Sequence, residues 1–117
     1  MKSKEYISIL KMIEYIDRSI EYTKGYTFEQ FCKDFKTIDA TVFAISQIGE
    51  LIKNISKETI EKYNSIEWNM IKGLRNRIVH DYEGISLKGI WFVVNNDIII
   101  LKDSLLKIIE IEKNENK

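Results

Sequence analysis

The single histidine of this chain stands in a run that also carries two of its three arginines: Arg75-Asn76-Arg77-Ile78-Val79-His80-Asp81-Tyr82-Glu83-Gly84. An arginine is charged at any physiological pH and grips a phosphate through two parallel hydrogen bonds, whereas a histidine gives or takes a proton near neutrality. Arg75 and His80 are therefore the parts needed to hold and cleave a phosphodiester without a metal. At about 100° per residue on a helix, Asn76 and His80 lie within roughly 40° of each other, while Arg75 and His80 are roughly 140° apart. One chain alone converges them poorly, so the spacing points to a two-fold partner whose equivalent helix shares the cleft. The competing reading has Arg75 and Arg77 as solvated helix charges and His80 as a cap of the helix C-terminus. Spacing alone leaves both open.

Composition narrows the surroundings of this run. Eighteen Lys and Arg balance eighteen Asp and Glu, so a polyanion has to be held by a local patch rather than a bulk cationic field. Lys72 and Arg77 are candidates for that patch, and a plain solvated helix face is the alternative for both. One cysteine and one histidine exclude a Cys-rich zinc site and an internal disulfide, so neither a metal nor a cofactor is expected. Cys32, beside Phe31, reads as a small buried hydrophobe. The start of the chain lacks an apolar signal region, and no apolar run is long enough to span a bilayer. A cytoplasmic protein, neither secreted nor membrane-spanning, is expected.

The 117 residues suit a single domain, and with no proline and five glycines long helices are permitted nearly everywhere. Tyr6, Ile9, Leu10, Ile13, Ile16 and Ile20 recur at helical spacing and predict a first helix from Lys4 to Tyr22, with Ser3 as cap and Gly25 as stop. Thr27 and Gln30 form a capping-box pattern that opens a short helix through Phe28, Phe31 and Phe35, whose aromatics plug one end of the core. A second long helix carries Ile38, Val42, Ile45, Ile48, Leu51, Ile52 and Ile55 to about Ser56-Lys57, and Gly49 inside it marks a close helix contact. After a polar stretch from Glu58 to Ser65, a third long helix runs from about Ile66 to His80 with Ser65 as cap, placing Tyr82 beyond its end.

Trp91 to Val94 and Ile98 to Leu101 flank Asn95-Asn96 as a β-hairpin would. Ile90, Val93, Val94, Ile98, Leu101, Leu105 and Ile108 nevertheless keep one helical face, and neither run alternates with period two, so a long final helix capped by Ser86 is predicted. Residues 112–117 should fray. The fold class is all-α: an up-and-down antiparallel bundle of four long helices plus a short one, spanning residues 1–117 as one domain.

The run from Arg75 to Tyr82 matches the R-x4-H-x-Y pattern of HepT-like toxins in the HEPN superfamily. Ile48-Gly49-Glu50 is similar to that family's Ile-Gly-Glu signature, Trp68 precedes Arg75 at the familiar distance, and a long helix bearing Trp91 follows the Tyr. Leu51-Ile52 depart from the small residues common after that Glu. The resemblance implies a HEPN-like helical bundle acting as a metal-independent endoribonuclease, the dimeric toxin of a type VII toxin-antitoxin pair, with an MntA-type nucleotidyltransferase as antitoxin. It implies that Arg75 binds the scissile phosphate, that His80 moves a proton as the ribose 2′-hydroxyl attacks, and that Asn76 orients the phosphate or His80. It further implies that Tyr82 is the hydroxyl that the partner adenylylates. A phenol with a pKa of about 10 is neutral at pH 7, so the base and metal for that transfer are assigned to the transferase.

Other residues keep two readings. Glu50 pairs with Arg75 or Arg77 across helices, or lies on a polar face. Trp68 and Trp91 stack on bases, or belong to the core or a dimer contact. The competing function is a non-catalytic nucleotide- or RNA-binding module, or a scaffold for the transferase.

Overall fold

The computed structural model describes residues 1–84 and 86–115. Its elements are α1 (Ser3–Thr23), α2 (Phe28–Lys33), α3 (Phe35–Leu51) with a 3-10 turn at Ile52–Asn54, α4 (Lys57–Lys62), α5 (Trp68–Glu83), α6 (Leu87–Phe92), a π-helical segment at Val93–Asp97, and α7 (Ile98–Glu115). Four long helical rods, α1, α3, α5 and α6 continued through the π segment into α7, form the all-α up-and-down bundle that the periodicity predicts. Helix α3 is central, packed against α1 on one side and α5 on the other, while α7 closes the layer against α1. Ile9, Met12 and Ile16 from α1 meet Ile45 and Ile48 from α3, Ile71, Leu74 and Ile78 from α5, and Ile90, Ile98 and Leu105 from the last rod.

Helix starts show where local chemistry overrides periodicity. The Thr27–Gln30 capping box is present in both directions, with Gln30 N–H donating to Thr27 Oγ1 at 3.1 Å and Thr27 N–H to Gln30 Oε1 at 2.9 Å. Helix α1 is instead capped at Lys2, whose N–H donates to Glu5 at 3.0 Å, so Ser3 is its first helical residue and not its cap. Gly25, at φ +78°, stops it as expected. Its buried stripe includes Met12, whereas Leu10 lies outside it and is 43% exposed. Phe35 leaves the aromatic plug: Asp34 accepts from Thr37 N–H at 3.0 Å and starts α3 there, which leaves Phe35 75% exposed. Phe31 and Phe28 fill the plug with Trp91, at centroid distances of 5.1 and 6.0 Å. Cys32, next to Phe31, is half-buried rather than enclosed.

Helix α3 ends at Leu51, earlier than its apolar pattern suggests, because the chain turns to let Ser56 cap α4 through Thr59 N–H. Ile52 and Ile55 stay buried although they are no longer α-helical. Ser65 does not cap α5, which begins at Trp68 after Glu67 without a side-chain cap. The Trp68 indole donates to the Tyr63 carbonyl at 2.9 Å and anchors that start in the core. The helix also runs on to Glu83, so Tyr82 belongs to its last turn rather than to the loop beyond.

The hairpin-like signal around Asn95-Asn96 is a π segment inside one continuous helix. Asn95 and Asn96 donate their side-chain amides to the carbonyls of Trp91 and Phe92, at 2.8 and 3.1 Å, while Ile98 N–H reaches back five residues to Val93. Ser86 precedes this helix but makes no side-chain cap. At the other end α7 continues to Glu115, so the expected fraying does not reach Glu112, which is 1% exposed; residues 116 and 117 lie outside the described residues. Among the described residues no helix is long and apolar enough to cross a membrane.

Candidate functional site

Helix α5 buries Trp68, Ile71, Leu74 and Ile78, and the same 100° step turns Lys72, Asn76 and His80 outward. Arg75 lies at the edge that meets α3. The contact is unusually close because Gly49 has no side chain: a Cβ built there would stand 2.8 Å from the Arg75 backbone nitrogen and 3.0 Å from its Cβ. Gly49 thus lets α3 rest on the α5 backbone at Arg75, and the next residue, Glu50, forms an ion pair with Arg75, its Oε1 2.8 Å from Nε. Of the two readings of Glu50, the ion pair with Arg75 is the one that forms. Lys53 also donates to Glu50, and this hydrogen bond, with the charges of Lys53 and Arg75, holds its carboxyl below the usual range. Arg75 is fixed through Nε while half of its side chain remains open to solvent.

The other edge of α5 faces the last helical rod. Arg77 Nη1 meets Asp97 Oδ2 at 2.9 Å, tying α5 to the π segment. Asp81 is folded in against Gly89, where a Cβ would lie 2.2 Å from its carboxylate oxygen. His80 projects between these edges with 87% of its side chain exposed, and its nearest acidic neighbour is Asp81, at 3.8 Å from Nδ1. That separation is too long for a hydrogen bond. The single chain therefore presents Asn76 and His80 on an open face and holds Arg75 on a flank, as the 140° offset predicts.

Tyr82 is turned to the Arg75 side. Its hydroxyl donates to Asp39 on α3, and this bond to a carboxylate raises its pKa. Trp68 and Trp91 both pack in or against the core, in keeping with the structural reading of each. Lys72 is exposed on the His80 face, whereas Arg77 is partly neutralised by Asp97. Among the described residues no group of His, Cys, Asp and Glu is arranged to hold a metal.

Sequence reasoning missed Asp39 and Asp97, the carboxylates outside α5 that hold Tyr82 and Arg77, and the packing of Asp81 against Gly89. A signal for Asp39 was available. Asp39 and Glu50 are eleven residues apart, about 20° on a helical wheel, and Arg75 and Tyr82 are seven apart, also about 20°. Two antiparallel helices bearing such pairs meet twice, in reverse order.

Comparison with known proteins decides the family. The family model described as Ribonuclease HepT-like matches residues 12–108. The chain belongs to the HepT-like family. A relative from Caldanaerobacter subterraneus subsp. tengcongensis, named "Putative RNase", is 35% identical over 90% of this chain and 91% of its own length. One from Thermococcus cleftensis, named "Probable ribonuclease HepT", is 33% identical over 90% of this chain and 94% of its own. A longer protein of Methanocaldococcus jannaschii, named "Gamma-glutamylcyclotransferase and putative RNase", is 41% identical over 92% of this chain but only 48% of itself. No solved structure matches.

Proposed function

We propose that this HepT-like chain is a metal-independent endoribonuclease, the cytoplasmic toxin of a toxin-antitoxin pair, and that it works as a homodimer. The observation that carries the reading is the disposition of α5: a half-exposed arginine clamped by Glu50, and an exposed histidine on the adjoining open face with Asn76 beside it. Arg75 neutralises the scissile phosphate and the charge that builds on it, and Asn76 orients the phosphate or the imidazole. His80 takes the proton from the ribose 2′-hydroxyl as its oxygen attacks phosphorus, the bond to the 5′-oxygen breaks, that oxygen takes a proton from water, and a 2′,3′-cyclic phosphate and a 5′-hydroxyl result. Lys72 and Arg77 supply local positive potential in a chain of zero net charge.

The dimer is supported by two features. Arg75 and His80 of one chain face different ways, so a second α5 across a two-fold axis completes the cleft. Phe92, Ile99 and Ile100 on the following helix are exposed at 53%, 43% and 69%, more apolar surface than a lone bundle needs. Inhibition follows from Tyr82, whose hydroxyl lies at the surface: an MntA-type nucleotidyltransferase attaches AMP to it, adding negative charge on the Arg75 face.

The test is incubation of RNA with the purified chain in EDTA. Cleavage to cyclic-phosphate ends is expected, with a 2′-deoxy substrate left intact because it has no attacking hydroxyl. Strict dependence on magnesium, or RNA binding without cleavage, would replace this reading with a metal-assisted nuclease or a non-catalytic binding module.

A further inference from the structure

The contact between Tyr82 and Asp39 serves neither RNA cleavage nor the core. The Tyr82 hydroxyl, in the last turn of α5, donates to Asp39 Oδ1 in the second turn of α3, and both side chains are exposed. A hydrogen bond between groups that water already satisfies adds little to stability. Its consequence is chemical: a carboxylate rests on the one tyrosine hydroxyl to which the preceding section assigns a reaction. Among the described residues no other group is as well placed. His80 points about 160° around α5 from Tyr82, and Asp81 is turned against Gly89.

We propose that Asp39 is the proton acceptor in nucleotidyl transfer to Tyr82, so that the modified protein, rather than the transferase, carries the base. The inference rests on the AMPylation reading above. In the step, a bond forms between Tyr82 Oη and the α-phosphorus of ATP, and the bond from that phosphorus to the bridging oxygen breaks. Pyrophosphate leaves, and the Oη proton passes to Asp39 Oδ1. The nucleotide and its divalent cation arrive with the transferase. Before transfer the phenol keeps its proton, because the neighbouring negative charge disfavours a phenolate. As the P–O bond forms, the same oxygen becomes strongly acidic, and the carboxylate is already in line to receive the proton.

Helix geometry also explains why AMP at this position silences the site. Tyr82 and Arg75 share a face of α5 and lie about 10 Å apart along it, a span that an AMP group can cover. The new phosphodiester then competes with RNA for the Arg75 side.

The experiment mixes the purified chain with its partner nucleotidyltransferase and Mg-ATP, and follows AMP on Tyr82 by intact and peptide mass spectrometry for wild type, Asp39→Asn and Asp39→Glu. Melting curves establish that each variant is folded. Asp39→Asn is expected to lower the initial transfer rate about 100-fold. Its residual rate should climb roughly tenfold per pH unit from 7 to 9 as phenolate forms, while wild type stays nearly flat. Asp39→Glu should recover part of the rate and the flat profile. Transfer to Asp39→Asn at the wild-type rate, or a slower rate with an unchanged pH profile, would overturn the proton-acceptor role while leaving Tyr82 as the modified residue. No adduct on wild-type Tyr82 would overturn the AMPylation reading itself, and this inference with it.

Discussion

Glu5 and Glu112 are sealed beneath α4, whereas Lys72, Asn76 and His80 stand in solvent along α5, and the two regions treat polar groups in opposite ways. Glu5 is 4% exposed and accepts from Lys2 N–H, Ser56 N–H and the Thr59 hydroxyl. Glu112 accepts from Lys62 and from Tyr63 and pairs with the Met1 amine at 3.1 Å. Burial alone would push both carboxyls up, but the hydrogen bonds outweigh it and hold each at about 2. Burial and the bond to Glu112 push the Tyr63 phenol up to about 12. Among the described residues no buried side-chain polar atom lacks a partner, and at this end the two carboxylates spend their oxygens on such contacts, which makes it structural. On α5 only Arg75, Arg77 and Tyr82 are held by carboxylate partners, while Lys72, Asn76 and His80 stand open to solvent, and groups left open in this way have capacity to bind a substrate.

The largest effect that tests this contrast is on activity. Arg75→Ala and His80→Ala are each expected to lower RNA cleavage in EDTA at least 100-fold while leaving the melting midpoint nearly unchanged, since both side chains are exposed. A variant that melts like wild type and still cleaves would move the active site off α5.

The sealed end should show the reverse, a loss of stability with the cleavage chemistry untouched in the fraction that stays folded. Glu112→Ala strands the buried Met1 amine and Tyr63, while Lys62 keeps Glu115, and is expected to cost about 3 kcal/mol, read by urea unfolding. The same carboxylates set the acid response. The folded-state pKa values lie below the ordinary 4.5, so their contribution is complete above about pH 4.5 and is lost as pH falls towards about 2. In Glu112→Ala that part of the acid sensitivity should shrink. An unchanged acid profile would assign it to other carboxylates.

Between the two regions lies Gly49, where packing and site meet. A methyl group there has to displace the Arg75 backbone, so Gly49→Ala is expected to destabilise the fold by about 1–3 kcal/mol and to lower cleavage by shifting Arg75 away from Glu50. Unfolding curves and cleavage rates on the same preparation separate the two losses. Full stability and full activity would mean that α3 and α5 part without consequence.

The parts of this molecule that could be read in the sequence follow one rule, and so do those that could not. Apolar periodicity located every long helix, and it chose a helix over a hairpin for residues 90–108 because a π segment keeps the buried side of the rod nearly in register. It failed at helix ends, where a single hydrogen bond decides: Lys2 rather than Ser3, Asp34 setting the start at Phe35, and Trp68 binding the Tyr63 carbonyl. Arg75 and His80 stand out in the sequence because their residue types carry chemistry, whereas Asn76 and Tyr82 take their roles from the resemblance to the HepT-like motif. Asp97 does not stand out, since an isolated aspartate has no meaning until the helix it faces is known, and Asp39 is legible only through its spacing from Glu50 once α3 and α5 are paired antiparallel. Glu112 looked like part of a charged tail because its burial depends on Lys62 and Tyr63, some fifty residues away.

The smallest expected effect concerns Gly73, on the open face of α5 one turn before Asn76 and Arg77. Nothing lies within 4 Å of where its Cβ would be, so no contact within the chain requires glycine there. Glycine inside a helix costs about 1 kcal/mol relative to alanine, chiefly through the freedom it gives the unfolded chain. Gly73→Ala should therefore raise stability by up to about 1 kcal/mol, seen as a melting midpoint several degrees higher at low protein concentration. That gain would show that the α5 face is free in the single chain, in contrast to Gly49, where the same substitution collides with Arg75. A lower midpoint at every concentration would mean that Gly73 is already in contact within the fold. A midpoint that rises in dilute solution and falls as the protein is concentrated would place a second copy against the helix backbone at Gly73, and with it the shared cleft proposed for Arg75 and His80.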